Sequence, residues 1–197
     1  MTRCLAVLAL ALLVGCGGKD PVKTAGEADE ALRKGDAVTA QKLAEEGLAL
    51  PNVAADNGTA WRLERVRLEA KATKATKPEA AAVLTEMERL GKTYAAPNQV
   101  NAAFYAKVAR ELVDAKQLVE SLDLIEAGKQ KFPKEVDKFD GLIAELQDRA
   151  ATGGDNELTR KLEGLGYVGG SKKKPAAEPP KPATEPAKPA TEPPVKP

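Results

Sequence analysis

Histidine is absent, and the only cysteines are Cys4 and Cys16. Without histidine there are no His-based triads, no imidazole metal ligands and no side chain that ordinarily titrates near neutrality for acid–base work. Aromatic residues are also scarce, at 4% of the chain with one tryptophan. Sheets favour aromatic and β-branched side chains, whereas alanine, here 35 of 197 residues, is the best helix former and lets helices approach closely. The expected fold class is therefore all-α. No charge sign dominates: 30 basic residues stand against 29 acidic ones. A net charge of +1 gives no general pull toward nucleic acid, so no nucleic-acid partner and no cofactor are expected. The longest apolar run, Leu5–Val14, is ten residues, half of the roughly 20 that a membrane-spanning helix needs.

That short run is read as an address. Arg3 supplies a positive start, the apolar run follows, and the segment ends in Leu13, Val14, Gly15 and Cys16; together they have the layout of an export signal. The last four residues resemble the lipobox of bacterial lipoproteins. The resemblance implies that a diacylglyceryl group is attached to Cys16, that signal peptidase cuts between Gly15 and Cys16, and that the new amino terminus is acylated, palmitate being the usual chain. Membrane lipid is then the first partner, and several acyl chains together anchor a protein where one does not. Gly17 stands where a retention signal would place aspartate, which by the same resemblance implies the outer membrane, with the protein facing the periplasm. An ordinary secretory signal with an incidental cysteine is the alternative. With Cys4 removed and Cys16 lipidated, no thiol remains for a disulfide or for catalysis.

From Thr24 to Ala150 the apolar residues recur at helical spacing. Thr24 and Glu27 form a capping-box pattern that predicts a helix through Lys34, with Gly35 as its stop and Asp36 as the cap of a second helix closing at Pro51. A third runs from Asn57 to Ala72. Thr76 and Glu79 open a fourth, with the stripe Ala80, Val83, Leu84, Met87 and Leu90 and a stop at Gly91. A fifth follows Pro97 and Asn98, carrying Val100, Phe104, Val108 and Leu112. Asp114 is the expected cap of a sixth with Leu118, Leu122 and Ile125, and a seventh, without an evident partner, carries Val136, Phe139, Ile143 and Leu146. Trp61, Met87, Phe104 and Tyr105 lie on apolar stripes and are read as core.

Pro51, Pro97 and Pro133 close successive helix pairs, and the later interval is close to the ~34-residue tetratricopeptide unit. Gly35-Asp36, Ala40 with Ala44, Trp61 with Leu68, and Ala127 with Phe132-Pro133 resemble that family's turn, small contacts, spaced large residues and unit end. The resemblance implies antiparallel helix hairpins stacked as a short array with a concave binding surface. Thr73–Lys77 and Val113-Asp114 depart from the family's turn.

The chain then changes character. Gly153-Gly154 loosens the backbone, and Asp155 can cap a short helix with Leu158, Leu162 and Leu165. It leads into Leu165-Gly166-Tyr167-Val168-Gly169-Gly170, which resembles a segment near the C-terminus of some bacterial sulfatase-type hydrolases, without any of their metal-binding or nucleophile motifs. It is read as a docking element for the array or a partner, or as a glycine helix stop. Residues 171–197 hold nine of the 14 prolines, and KPATEPA at Lys181–Ala187 repeats as KPATEPP at Lys188–Pro194. Such a tail buries no core and is expected to be disordered or polyproline II.

The resulting partition is 1–15 signal peptide, 16–23 lipidated terminus and linker, 24–150 helical array, 151–170 docking segment and 171–197 tail. Acidic neighbours such as Glu45-Glu46 or Glu86 and Glu88 do not share a helix face, Lys107, Glu111 and Asp114 read as surface charge pairs, and no nucleophile or phosphate-loop motif stands in the chain. The expected function is a non-catalytic, lipid-anchored scaffold for an envelope protein; the alternative is a spacer whose tail contacts the cell wall.

Overall fold

A computed structural model describes residues 19–94 and 99–168, which form an all-α bundle of stacked helices with no strand among them. Cys4, Leu13, Val14, Gly15, Cys16 and the 171–197 tail lie outside the described residues. Among the described residues there are eight α-helices: α1 Pro21–Arg33, α2 Ala37–Leu48, α3 Asn57–Thr73, α4 Lys77–Thr93, α5 Ala102–Asp114, α6 Leu118–Lys131, α7 Asp140–Gly153 and α8 Asn156–Gly164. Short 3-10 turns at Val53–Ala55 and Val136–Phe139 precede α3 and α7. No described helix is long and apolar enough to cross a membrane.

Side-chain caps set most helix starts. The Asp36, Asp56, Asn101 and Asp155 side chains each accept backbone N–H bonds from the first turn that follows, satisfying donors the helix itself cannot. At α4 the Glu79 carboxylate reaches back to accept from Thr76 N–H at 2.8 Å and Thr76 Oγ1 at 2.7 Å. Four expected starts move: α5 begins at Ala102, after Val100, and Val136 and Phe139 lie in the 3-10 turn ahead of α7; the other two are those of α1 and α6. α1 begins at Pro21, not Thr24, because the Asp20 side chain accepts from Val22 N–H and proline fits the first turn; Thr24 is buried one turn in, its hydroxyl donating to Asp20 O. α6 begins at Leu118, and Asp114 is the last residue of α5. Gly91 does not stop α4, which runs on to Thr93.

Three helices end in one hydrogen-bond pattern. After α1, Asp36 N–H bonds to Ala31 O and Gly35 N–H to Leu32 O; after α5, Gln117 bonds to Leu112 and Lys116 to Val113; after α8, Tyr167 bonds to Leu162 and Gly166 to Glu163. This is the Schellman arrangement, which requires a left-handed residue. Gly35 and Gly166 supply it with φ of 81° and 80°, whereas Lys116 adopts φ 63° with a side chain in place. The turn between α5 and α6 thus has the same shape as the glycine turn between α1 and α2.

Packing proceeds along the chain, with each helix against the next or next but one. α3 touches α1, α2, α4 and α5; α5 touches α3, α6 and α7; α6 touches α4, α5, α7 and α8. Trp61 of α3 stacks edge-on against Phe104 of α5, centroids 5.2 Å apart, and tilts against Tyr94 beyond α4 at 5.3 Å. Tyr105, Met87, Leu63, Leu68 and Phe139 are buried, as the apolar stripes predict. α5 and α6 are joined inside the core by Ser121 Oγ donating to Ala109 O at 2.9 Å. Gly128 keeps α6 near the aromatic cluster: a Cβ there would stand 2.5 Å from Phe139 Cζ.

The seventh helix is not unpaired. α8 packs on both α7 and α6, with Leu158 and Leu162 fully buried. Beyond it, Tyr167 O–H donates to Glu126 at 2.6 Å, Lys129 donates to the Tyr167 oxygen, and Gln147 Nε2 donates to Tyr167 O at 2.5 Å.

Because a non-glycine residue in the left-handed region carries a penalty of about 1 kcal/mol, Lys116→Gly is expected to stabilise the protein by about 0.5–1 kcal/mol. Urea unfolding followed by circular dichroism checks this, with Lys134→Gly as an exposed control.

Candidate binding cleft

α3 reads Asn57–Thr73, and its charges sit on two flanks between the apolar positions that face its neighbours. On one flank Arg62, Arg65 and Glu69 look toward α1 and α5. On the other Glu64, Arg67 and Lys71 look toward α4, where Arg67 and Lys71 bond to Glu86 and Arg89 bonds to Glu64. A helix with packed neighbours on several sides cannot leave these groups in bulk water, and a buried charge is tolerated only when paired.

The first flank is part of a seam of charges running across α1, α3, α5 and α7. Asp29 of α1 accepts from Arg65 Nη2 at 2.5 Å and from Arg62. Glu69, whose side chain is 1% exposed, accepts from Lys107 Nζ of α5 at 2.7 Å and Arg65 Nη1 at 3.3 Å. Thr73 Oγ1 lies 3.0 Å from Glu111 Oε2 and 2.9 Å from Glu69 O. Arg110 of α5 pairs with Glu145 of α7, which also takes Arg149 Nη2 at 2.7 Å, while Arg149 Nη1 bonds to Val113 O. These partners are 36, 38 and 35 residues apart for Asp29–Arg65, Glu69–Lys107 and Arg110–Glu145. Each pair thus joins one odd-numbered helix to the next, and the order of the charges reverses at the third, where the base precedes the acid.

Over this seam lies a cleft of 420 Å³, walled by α1, α3 and α5. Asp29, Glu69 and Glu111 supply carboxylates; Arg33, Arg65 and Lys107 supply cations; Leu32 and Ala37 are its apolar floor and edge. Three charges of each sign give it no net sign. Lys107 is half exposed, so its charge is available at the rim, whereas Glu69 is available only through its partners. Such a surface can bind a chain carrying both signs, by exchanging surface ion pairs and covering the apolar floor. Among the described residues, no group of three or more carboxylates is arranged to hold a metal ion.

Of the residues the sequence singles out, Lys107 and Glu111 come together at the cleft, paired to other helices and not to each other, and Asp114 stands apart and exposed. Glu45 and Glu46 diverge, to Gln41 and Lys19 respectively. Glu86 holds α3 to α4, and Glu88 faces outward. Asp29, Arg65, Glu69 and Arg110 were not anticipated; a search for opposite charges at a lag near 36 residues would have found them.

No protein family, curated protein or solved structure matches this chain.

The Glu145 carboxyl is held below its ordinary value by the Arg110 hydrogen bond, with Arg149 assisting against partial burial. A carboxyl lowered in the folded state stabilises above its unfolded pKa, near 4.5, and loses that contribution as pH falls through its folded value. Glu145→Gln should therefore lower stability at pH 7 and shrink the loss on acidification below about pH 4.5. Thermal melts between pH 3 and 7 read both effects; parallel pH profiles for the two proteins would contradict them.

Proposed function

We propose that this chain is a lipid-anchored envelope protein whose tetratricopeptide-like array holds a polypeptide segment of a partner in the cleft across α1, α3 and α5, without catalysis. The observation that carries the reading is the seam itself: opposite charges paired between successive odd-numbered helices at separations of 36, 38 and 35 residues, close to the ~34-residue tetratricopeptide period. Helical arrays built on such a period present extended surfaces on which peptides dock by shape and by side-chain pockets. The balanced charge favours a segment that alternates acidic and basic residues over a purely acidic or basic one.

The lipobox-like Leu13–Cys16 sequence, with its basic start and short apolar run, supports anchoring through acylated Cys16; Gly17 favours the outer membrane with the array in the periplasm. α1 starts at Pro21, so five residues from Cys16 reach the folded body, at most about 18 Å of chain. The array then works next to the bilayer surface. The alternative, supported by the seven-residue Lys/Glu repeat of the tail, is a structural spacer that contacts the cell wall.

Two measurements test this. Cys16→Ser should move the protein from the membrane pellet to the soluble fraction, and the intact mass of the wild type should show cleavage before Cys16 with added acyl chains. A photo-reactive residue at Leu32, in the cleft, should cross-link a partner in envelope extracts that the same residue at Val38, which is 65% exposed on α2, does not capture. Membrane retention of Cys16→Ser contradicts the anchor, and equal labelling from Leu32 and Val38 contradicts the cleft.

A further inference from the structure

The segment from Asp155 to Val168 is built as a self-contained unit. Its start is capped from within, Asp155 accepting from Glu157 N–H and Leu158 N–H at 3.0 Å. Its end is closed from within, Tyr167 N–H bonding to Leu162 O at 2.8 Å with Gly166 left-handed. Neither end of α8 needs the rest of the chain to satisfy its backbone. The link is short: α7 ends at Gly153, and the left-handed Gly154 turns the chain toward Asp155. Both glycines are exposed, and a Cβ at either would meet nothing within 4 Å.

What holds the unit to the body is a row of side-chain anchors. Leu158 and Leu162 are fully buried. Lys161 pairs with Asp123 of α6 at 2.5 Å, and Glu157 pairs with Lys77 at 3.0 Å. Tyr167 makes the most specific contact: its hydroxyl sits between Glu126 and Lys129, the Lys129 ammonium lies 4.7 Å from the ring centroid, and Gln147 of α7 bonds its carbonyl. Burial, reinforced by Glu126, raises the phenol above its ordinary value, so it stays an O–H donor at neutral pH. The surface formed by α6 and α7 therefore recognises a helix with leucines four apart followed by a tyrosine, and the chain fills that surface with its own copy.

We propose that residues 155–168 are a detachable clasp, and that the α6/α7 surface beneath them is a docking site for the same segment of a second copy of this chain. The occupant follows from the complementarity of the two surfaces: the Asp123, Glu126, Lys129 and Gln147 contacts made within one molecule are available, unchanged, between two. The short link makes the intramolecular contact the default through its high effective concentration. Exchange takes over when the link can no longer fold back. This site is separate from the cleft of α1, α3 and α5 and does not rest on the proposed function.

The variant G153A/G154A/D155A, made in the full chain, fuses α7 and α8 into one continuous helix and forbids the return. Sedimentation velocity should show it as a dimer at a concentration where the wild type is a monomer, and adding Tyr167→Ala should weaken the dimer by about tenfold or more. A fused-helix variant that stays helical by circular dichroism yet monomeric overturns the proposal. A second arm serves if that variant misfolds. A fluorescent peptide of residues 154–170 should bind the full-length Tyr167→Ala protein saturably, and about tenfold more tightly than a peptide that itself carries Tyr167→Ala. Absence of saturable binding, or equal binding of the two peptides, overturns it as well.

Discussion

The structure depends on the burial of α3. This helix packs against α1, α2, α4 and α5, yet its sequence carries Arg62, Glu64, Arg65, Arg67, Glu69 and Lys71 among its apolar residues. Removing a charge from water costs several kcal/mol unless a partner replaces the lost hydration. Each neighbour must therefore present the opposite charge at the right height: Asp29 from α1, Lys107 from α5, Glu86 from α4. The result is a register constraint more than a source of net stability. Pairs that are partly exposed, such as Lys107 at half exposure, contribute little each, but a slipped register would take Lys107 away from the buried Glu69 and leave it only Arg65 of its own helix. Apolar packing around Leu63, Val66, Leu68 and the Trp61–Phe104 contact supplies the attraction; the charges select the arrangement.

The same constraint places the cleft. Because the seam crosses the odd-numbered helices, the wall between α1, α3 and α5 is lined by groups that already have partners and can trade them. The opposite end of the molecule works differently. There α8 and Tyr167 of the same chain cover α6 and α7. One molecule thus combines an open site and a self-filled one.

Much of the fold was legible in the sequence where local chemistry governs it. Asp36, Thr76 with Glu79, and Asp155 mark helix starts because a short polar side chain has few other uses before an apolar stripe, and the stripes of α4 and α5 identify the core residues Met87 and Phe104. Thr24 with Glu27 imitated a cap, but Asp20 with Pro21 competes successfully one turn earlier. Lys116 carried no sign of its left-handed turn, since only glycine advertises that conformation. The cleft was illegible residue by residue because its pairs join positions 35–38 apart, and a local reading assigns Lys107 and Glu111 to the surface. The short helix α8 and its leucines were legible as a docking element, but α7 and α6 as the surface it meets were not, and Leu165, expected on the same face, is exposed while Leu158 and Leu162 are buried.

Native-state hydrogen exchange across the described helices tests the central role of α3 most directly. If α3 is the element on which its four neighbours register, the amides from Leu63 to Ala70 will exchange only through global unfolding, with an opening free energy equal to that obtained from urea denaturation. Amides of α8 should exchange through a cheaper, local opening. Exchange of the α3 amides at a lower free energy than those of α5 and α6 would contradict the account.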